Sequence, residues 1–299
     1  MRSLGIDIGA TSIKGGIIED GEMICYRKEP TNARDGVEAI LSSLYKVIDA
    51  LIDKADEDSA IGISSTGDIN PISGEVIYAT DSMPSFAGLN LAEIVSRHTG
   101  RRATVINDCI AALIGEWKYG AAAGCQNVIM LTLGTGVGGA VMTNGTFLLG
   151  ENFRACRLGH TSLYQNGRKC PCGRRGCAEA YVSATGLLET ARDMGKPFSD
   201  CNQIFSCGDE AFIHRVVNSF TDDLAQMISN LTAIFDAEKI IIGGGLVLLS
   251  SYWMDPLMKK VSSIARVEKA ELGNNSGIIG AACIAKDKLF INEVCHAKI

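Results

Sequence analysis

Hydrophobic positions recur along the chain in two segments of similar design. The first is LGIDIGATSIKGGIIEDGEMI, from Leu4 to Ile24, and the second is VIMLTLGTGVGGAVMTNGTFL, from Val128 to Leu148. Each contains an apolar run, a glycine-rich turn, a second apolar run and then an Asp-Gly or Asn-Gly pair. Because such pairs favour the positive φ angles of tight hairpins, each segment is predicted to fold as strand, turn, strand, hairpin, strand. The pattern indicates a duplicated lobe.

Other apolar positions recur at the helical period and give two further segments one apolar face each. The first set is Val37, Ile40, Leu41, Leu44, Val47, Ile48 and Leu51, and the second is Val217, Phe220, Leu224, Met227, Ile228, Leu231 and Phe235. Two short apolar runs, AIGISSTG from Ala60 and ATVIND from Ala103, end in small or polar residues. Strands that deliver a loop at their carboxyl ends have this pattern, so the chain is predicted to be α/β.

Composition sets the size and class of the protein. A chain of 299 residues is long enough for two lobes, and the Ala/Gly cluster near 120–124 is the candidate boundary. No apolar run approaches the ~20 residues of a membrane span, and no leader precedes the first strand, so a soluble cytoplasmic protein is expected. The net charge of −6 argues against general affinity for nucleic acid. Eleven cysteines without a leader favour reduced thiols over a disulfide framework.

Three glycine-rich turns follow predicted strands. Asp7–Thr11 offers backbone N–H groups and a hydroxyl to phosphate oxygens, and Asp7 is a candidate for holding Mg²⁺ through water. The turn at Gly134–Gly139 could instead be a strained hairpin, and Gly243–Gly245 could be the start of a helix. Together they favour a cleft that binds a nucleoside triphosphate.

A fourth element, Asn107-Asp108, precedes the helical stretch CIAALIGEW. Alone, Asp108 is best interpreted as an N-cap, because an aspartate there satisfies unpaired N–H groups of a helix. A phosphoryl-transfer site gives it another role, since such a site needs a carboxylate at the acceptor hydroxyl.

Seven short motifs together resemble the ROK family (repressors, open reading frames and kinases) over almost the whole chain. This family includes bacterial-type glucokinases, N-acetylmannosamine kinases and fructokinases within the actin, Hsp70 and hexokinase superfamily. The motifs are DIGAT at Asp7, IND at Ile106, LGTGVGGA at Leu133, LGH at Leu158, CPCGRRGCAE at Cys170, IIGGG at Ile241 and GIIGAA at Gly277. Their combination is far more specific than any one of them.

The resemblance implies an actin-like ATPase (ribonuclease H-like) fold with two lobes, each built on a mixed β-sheet with flanking helices. It implies ATP and Mg²⁺ in a cleft, with transfer of the γ-phosphoryl group to a hydroxyl, commonly on carbon 6, of a hexose or N-acylated hexosamine. A homodimer is also implied. The expected lobes are residues 1–120, joined by a C-terminal helix at about 285–299, and residues 121–284. Many family members are repressors with a DNA-binding domain ahead of DIGAT, for which the six preceding residues leave no room.

The resemblance also implies roles for individual residues. Asp108 is expected to be the general base. The expected substrate-binding residues are Asn107, Thr66, Gly67, Arg157, His160 and Glu179. The expected ATP- and Mg-binding residues are Asp7, Gly9, Thr11, Lys14, Gly134, Thr135, Gly136, Gly138, Gly244 and Gly245.

A cluster of soft ligands follows the LGH motif. His160, Cys170, Cys172 and Cys177 form an H-x9-C-x-C-x4-C set that can close a tetrahedral zinc shell with no open position for water, so a structural Zn²⁺ is predicted. A competing interpretation is a zinc ribbon that reads nucleic acid through the basic residues Arg168, Lys169, Arg174 and Arg175. Those charges can equally solvate the loop and stabilise thiolates. In the family this loop leads into a sugar-contacting glutamate, here Glu179.

Two positions depart from the usual family text. Ser65-Thr66-Gly67 replaces a G-P-G and is similar to the S-T-G of N-acetylmannosamine kinases. Arg157 stands where the family usually has a glutamate that accepts hydrogen bonds from sugar hydroxyls. Because a guanidinium has no acceptor, two expectations follow: a kinase for an acidic or N-acylated sugar, or a catalytically weak sugar-binding or regulatory protein of the same fold. A third interpretation is a tolerated surface arginine in a shifted loop.

Overall fold

The chain divides into two compact units. The structure, a computed structural model, describes residues 1–286. Within that range the first unit comprises 1–124, 146–155 and 275–286, and the second comprises 125–145 and 156–274. The sequence placed residues up to 284 in the second lobe, whereas 275–284 group with the first. The C-terminal helix expected at about 285–299 lies almost wholly outside the described residues.

A mixed five-stranded sheet forms the centre of the first unit. Its strands are β1 (Arg2–Ile8), β2 (Ser12–Glu19), β3 (Glu22–Pro30), β4 (Ile61–Ser65) and β7 (Ala103–Asn107), in the order β3-β2-β1-β4-β7. The first three are antiparallel, and β4 and β7 run parallel to β1. Asp20 and Gly21 between β2 and β3 have φ values of 50° and 88°, which confirms the predicted hairpin.

Several further elements of this unit lie outside the sheet. They are α1 (Val37–Asp49), a two-stranded ribbon of β5 (Asp68–Asn70) and β6 (Glu75–Tyr78), α2 (Leu91–Thr99) and α3 (Asp108–Tyr119). The predicted helix after Asp35 is therefore confirmed, although it ends two residues before Leu51. The buried residues of α1 pack with the apolar side chains of β1, β2 and β4 in one core.

The helix α9 (Ser276–Lys286) packs against this sheet with almost no space between the backbones. A Cβ atom on Gly5 of β1 would lie 2.1 Å from the carbonyl oxygen of Ile278, and one on Gly62 of β4 would lie 1.7 Å from that of Ala281. On its other side, a Cβ atom on Gly280 would lie 1.7 Å from the carbonyl oxygen of Ala111 in α3. The GIIGAA motif thus explains how α9 fits among β1, β4 and α3.

The second unit repeats the design of the first. Its sheet contains β8 (Val128–Leu133), β9 (Val137–Thr143), β11 (Lys239–Gly243) and β12 (Val267–Lys269), in the order β9-β8-β11-β12. The pair β8 and β9 is antiparallel and the other neighbours are parallel. Asn144 and Gly145 have φ values of 49° and 73° and lead into the short strand β10 (Thr146–Phe147), as predicted.

Five helices complete the second unit: α4 (Glu179–Val182), α5 (Ala184–Asp193), α6 (Cys201–Phe205), α7 (Glu210–Phe235) and α8 (Ser250–Val261). The predicted helix ending at Phe235 is confirmed but begins earlier, at Glu210, because the side chain of Asp209 caps it by accepting a hydrogen bond from the N–H of Phe212 at 3.0 Å. No helix within 1–286 is long and apolar enough to cross a membrane.

Candidate functional site

Three polar side chains meet at the carboxyl end of β1 in the first unit. Asp7 pairs in register with Ser64 of the parallel strand β4 and with Lys14 of β2. Its Oδ1 accepts a hydrogen bond from the Ser64 hydroxyl at 2.9 Å, and its Oδ2 lies 3.3 Å from Lys14 Nζ. The Asp7 side chain keeps 18% of its surface exposed, so it is only partly accessible to solvent. Ser64 was not singled out from the sequence, although it stands among the polar residues that end a buried run.

Two hydrogen bonds, one of them from a side chain, stabilise the turn between β1 and β2. The N–H of Gly9 donates to the carbonyl oxygen of Ser12 at 3.1 Å, and the Thr31 hydroxyl donates to the carbonyl oxygen of Gly9 at 2.5 Å. Thr11 is exposed at the tip. The turn therefore presents a hydroxyl and backbone to solvent beside Asp7 and Lys14.

The sequence left two roles open for Asp108, helix N-cap and general base, and the N-cap is in fact Asn107. Asn107 is the N-cap of α3, since its Oδ1 accepts from the N–H groups of Cys109 and Ile110 at 2.9 and 3.3 Å. Its Nδ2 donates to the carbonyl oxygen of Gly67 and to Asp108 Oδ1, both at 2.9 Å. Because an amide has two donors and two acceptor positions, these bonds use the full capacity of Asn107. A sugar hydroxyl would have to replace one of them.

Asp108 is the first residue of α3, with a partly buried side chain. Its Oδ1 also accepts from the N–H of Cys109 at 2.8 Å. Burial and the negative charge of Asp7 raise the pKa of Asp108 from its ordinary value to about 6, against hydrogen bonds from Cys109 and Asn107 that lower it. Such a carboxylate is ionised at neutral pH yet basic enough to accept a proton.

Thr66 and Gly67 follow β4 in the predicted order. The N–H of Thr66 donates to the carbonyl oxygen of Ile8 at 3.0 Å. Gly67 has a φ of 97°, and a Cβ atom there would lie 2.3 Å from the carbonyl oxygen of Tyr78. Only glycine fits this position, and its carbonyl oxygen receives the Asn107 amide. The structure thus brings Thr66 and Gly67 to the same sheet edge as Asn107 and Asp108.

The glycine turn between β8 and β9 lies in the second unit. The N–H of Gly134 donates to the carbonyl oxygen of Gly136 at 2.9 Å, which closes the turn, and Thr135 is exposed at its tip. Glu179 contacts its far end, where Oε2 accepts from the N–H of Val137 at 2.9 Å. Gly138 is partly buried one residue further along β9.

The third turn follows β11 at the same edge of the second sheet. Gly244 has a φ of 87°, and a Cβ atom on it would lie 2.5 Å from the carbonyl oxygen of Leu133. Gly245 is exposed and has open space where a side chain would be. Gly244 and Gly245 therefore expose bare backbone next to the end of β8. A flat ligand can pack directly on such backbone.

The four predicted metal ligands converge in the second unit. The ligand atoms of His160, Cys170, Cys172 and Cys177 all lie within 4.8 Å of one another. Cys170 Sγ is 3.6 Å from His160 Nδ1, and Cys172 Sγ is 3.6 Å from Cys177 Sγ. Sulfur ligands ~2.3 Å from a tetrahedral zinc lie ~3.8 Å apart, whereas a disulfide requires ~2 Å. The spacing of Cys172 and Cys177 fits a zinc shell and is too long for a disulfide, and all three cysteines are free thiols.

The basic residues of the same loop hold the loop itself. Arg168 donates to the carbonyl oxygens of Ala180 and Gly186 and pairs with Asp193 at 2.7 Å. Arg174 donates to the carbonyl oxygen of His160 at 2.7 Å, and Arg175 to that of Gly167 at 2.9 Å. Three of the four basic residues thus contact the backbone of the loop or the segment that follows it.

Arg157 lies immediately before the 3-10 turn Leu158–His160 and is exposed. Its carbonyl oxygen accepts from the N–H of His160 at 2.9 Å, which fixes the start of the turn. The side chain of His160 keeps 23% of its surface exposed. The backbone of Arg157 is thus hydrogen-bonded to that of His160, one of the four predicted metal ligands.

A sequence model of the ROK family matches residues 3–288, nearly the whole chain. The chain belongs to the ROK family. This ROK protein is 29% identical to a glucokinase from Thermotoga maritima over 97% of its own length and 98% of that protein. It is 30% identical to an N-acetylmannosamine kinase from Haemophilus influenzae, with 97% of both chains covered.

Solved structures agree on the fold of this ROK protein. A ROK family glucokinase from Streptomyces griseus, solved with glucose and AMPPNP, matches with a TM-score of 0.83 and 25% identity over 96% of this chain and 99% of that chain. A ROK hexokinase from Thermus thermophilus matches with a TM-score of 0.81 and 26% identity over 96% and 98%. The expected actin-like ATPase fold, with a mixed sheet and flanking helices in each unit, is confirmed.

Proposed function

We propose that this ROK protein is an ATP-dependent sugar kinase that transfers the γ-phosphoryl group to a hydroxyl of a hexose or N-acylated hexosamine, on carbon 6. Its membership of the ROK family supports this function. The observation that carries the proposal is Asp108, a carboxylate at the start of α3 whose pKa is raised to about 6 beside Asn107. The residue has the properties of a general base in phosphoryl transfer.

Asp108 would take the proton from the sugar hydroxyl as that oxygen attacks the γ-phosphorus and the bond from this phosphorus to the β–γ bridging oxygen breaks, which releases ADP. The transition state of phosphoryl transfer is stabilised chiefly by positioning and electrostatics, so the base must be held in place. Two hydrogen bonds to Oδ1, from the Asn107 amide and the Cys109 N–H, fix the carboxylate. Hydrogen bonds from Cys109 and Asn107 also lower the pKa of Asp108 against the effect of its burial, which favours the ionised form near neutral pH.

Nucleotide binding is proposed for the glycine turns and their neighbours. In the first unit Gly9, Thr11 and Lys14 would contact phosphate oxygens, and Asp7 supplies the oxygen ligands that Mg²⁺ prefers, directly or through water. Bound Mg²⁺ would neutralise charge that develops on the phosphates. In the second unit the proposed nucleotide contacts are Gly134, Thr135, Gly136, Gly138, Gly244 and Gly245.

Sugar recognition is proposed for residues of each unit separately. In the first unit these are Thr66, Gly67 and Asn107, which share a sheet edge with Asp108. In the second unit they are His160, Glu179 and Arg157. Zn²⁺ on the cluster of His160 and the three cysteines would be structural, since its four ligands leave no position for water.

One observation favours a second candidate, a catalytically weak sugar-binding or regulatory protein. Arg157 stands where a sugar-accepting glutamate is usual in the family, and a guanidinium cannot accept a hydrogen bond. The kinase has the broader support, because the carboxylate proposed as the base, the glycine turns and the cluster of His160 and three cysteines are all present.

A coupled ADP-release assay over glucose, other hexoses, N-acetylmannosamine and other N-acetylhexosamines tests the proposal. We expect ATP-dependent phosphorylation of at least one sugar, and Asp108→Asn to lower kcat by at least ~10²-fold with AMPPNP binding nearly unchanged. Asp53→Asn, an exposed aspartate of the same unit, is the matched control and should change neither. Wild-type turnover by Asp108→Asn would remove Asp108 from the mechanism. Binding of sugar and AMPPNP without turnover of any sugar would instead favour the regulatory protein.

A further inference from the structure

Glu179 lies between the metal cluster and the glycine turn of the second unit, and each of its carboxylate oxygens faces one of them. Oε1 is 3.6 Å from Cys170 Sγ and 3.9 Å from His160 Nδ1. Oε2 accepts from the N–H of Val137 at 2.9 Å, immediately after the turn. The side chain is mostly buried, with 17% of its surface exposed. A single carboxylate therefore contacts both a metal ligand and the turn.

The turn is shaped around this carboxylate. A Cβ atom on Gly136 would lie 2.4 Å from Glu179 Oε2, so any other residue at 136 would displace the carboxylate or the backbone. With glycine there, Glu179 reaches the Val137 N–H without obstruction. The absence of a side chain at Gly136 thus serves a contact within the protein as well as access for a ligand.

The segment that follows Glu179 holds the rest of the turn. The N–H of Ala184 donates to the carbonyl oxygen of Gly134 at 2.8 Å, and the Thr185 hydroxyl donates to that of Thr135 at 2.9 Å. With the Glu179 bond, three hydrogen bonds run from 179–185 to 134–137. This segment starts two residues after Cys177, which is buried in the cluster. The position of Cys177 therefore helps to determine the conformation of the turn.

We propose that Glu179 is a positioning residue that couples metal binding at the His160 and cysteine cluster to nucleotide binding at the Gly134–Val137 turn. Zinc would draw its four ligands together and fix the start of the 179–185 segment. By accepting from the Val137 N–H, the carboxylate would then hold the Gly134–Gly136 part of the turn in the conformation that receives phosphate. The coupling rests on the proposed nucleotide role of the turn.

Thermodynamic linkage makes the coupling measurable without turnover. If zinc favours the turn conformation that binds nucleotide, nucleotide must raise the affinity for zinc by the same factor. We expect AMPPNP to tighten zinc binding at least ~5-fold, the low end for coupled sites. The measurement is competition for zinc against a chromogenic chelator, with and without saturating AMPPNP and with no sugar present.

Three variants distinguish a specific effect of the Glu179 carboxylate from a general loss of structure. Glu179→Ala should bind zinc and AMPPNP but reduce the AMPPNP effect on zinc affinity to near 1-fold. Glu179→Gln should retain part of it, because an amide oxygen can still accept from the Val137 N–H. Glu189→Ala, which removes an exposed carboxylate from α5, should retain all of it.

Each outcome decides the matter. Equal zinc affinity with and without AMPPNP in the wild-type protein would overturn the coupling. Full coupling in Glu179→Ala would overturn the role of Glu179. Calorimetry with AMPPNP alone distinguishes these results from failure of the proposed function. If the wild-type protein binds no AMPPNP, the proposed nucleotide site is wrong and the coupling fails with it.

Discussion

The side-chain amide of Asn107 donates a 2.9 Å hydrogen bond to Oδ1 of Asp108 while its own oxygen caps the helix that Asp108 begins. One residue therefore stabilises the helix and orients the proposed base. These two roles depend on different atoms of Asn107. Substitutions that retain one role and remove the other can separate them.

Asn107→Ser and Asn107→Ala form such a pair. Serine retains the cap but lacks the amide donor, whereas alanine loses both. We expect Asn107→Ala to be less stable than Asn107→Ser by ~0.5–2 kcal/mol in denaturant unfolding, and both to lower kcat to a similar extent. If kcat follows stability across the pair, Asn107 acts through the helix alone.

The pH dependence of kcat/KM should show an acidic limb with an apparent pKa of about 6. The pKa of Asp108 is raised, so the carboxyl becomes protonated as the pH falls through that value and can no longer accept a proton. Activity should fall ~10-fold per pH unit below it. In Asn107→Ser the limb should move to higher pH, because a bond that favours the ionised form is lost. A flat profile between pH 5 and 7 would exclude Asp108 as the titrating base.

The same raised pKa affects stability with a definite sign. Between the unfolded pKa near 3.8 and the folded pKa of about 6, the folded protein binds more protons at Asp108 than the unfolded chain does. This contribution therefore lowers stability as the pH rises through that window. Asp108→Asn removes it, so the difference in Tm between variant and wild type should grow from pH 4 to pH 6.5 in favour of the variant. A difference independent of pH would contradict the assignment.

Metal analysis should find about one zinc per chain in freshly purified, unchelated protein. Cys177→Ser should lose most of the zinc and lower the Tm, because Cys177 is buried within the cluster. Cys201→Ser removes a thiol that is also buried but far from the cluster in sequence, and should keep the zinc. Protein that lacks zinc yet retains full stability would contradict a structural metal.

Arg157→Glu tests whether the exposed guanidinium selects the substrate. A hydrogen bond to a charged group contributes ~1.5–3 kcal/mol, so losing one to an acyl oxygen should lower kcat/KM for N-acetylmannosamine by at least ~10-fold. Activity on glucose should rise, since the family's usual acceptor is restored. Arg192→Glu makes the same charge change on α5 and should leave the ratio of the two activities unchanged. Unchanged activities in Arg157→Glu would place the residue outside the sugar site.

The features best predicted from the sequence are the tight turns, whose conformation depends on a few adjacent residues. Asp20-Gly21 and Asn144-Gly145 adopt positive φ angles because few other residues tolerate them, whatever the surrounding fold. The N-cap of α3 could not be predicted in this way, because Asn107 and Asp108 are both good capping residues. The residue at which β7 ends decides which of them caps the helix.

Contacts between distant parts of the chain were beyond the sequence. Glu179 was expected to contact a sugar, but its bond to the Val137 N–H joins positions 42 residues apart and carries no local signal. The hydrogen bond from the Ser64 hydroxyl to Asp7 likewise joins positions far apart in the chain, here 57 residues, and has no local signal. The GIIGAA motif was visible, yet its grouping with the first unit depends on close contacts with Gly5 and Gly62, near the other end of the chain.

The close fit of α9 also has a consequence for the order of folding during synthesis. The sheet of the first unit emerges early from the ribosome, but Gly5 and Gly62 keep an uncovered surface until α9 is made. By then every residue of the second unit, which ends at Asn274, has already been translated. Domains usually mature in the order of their synthesis. Here we expect the second unit to fold first. The sheet of the first unit, with β1 and β4, should complete its packing only after α9 has been synthesised.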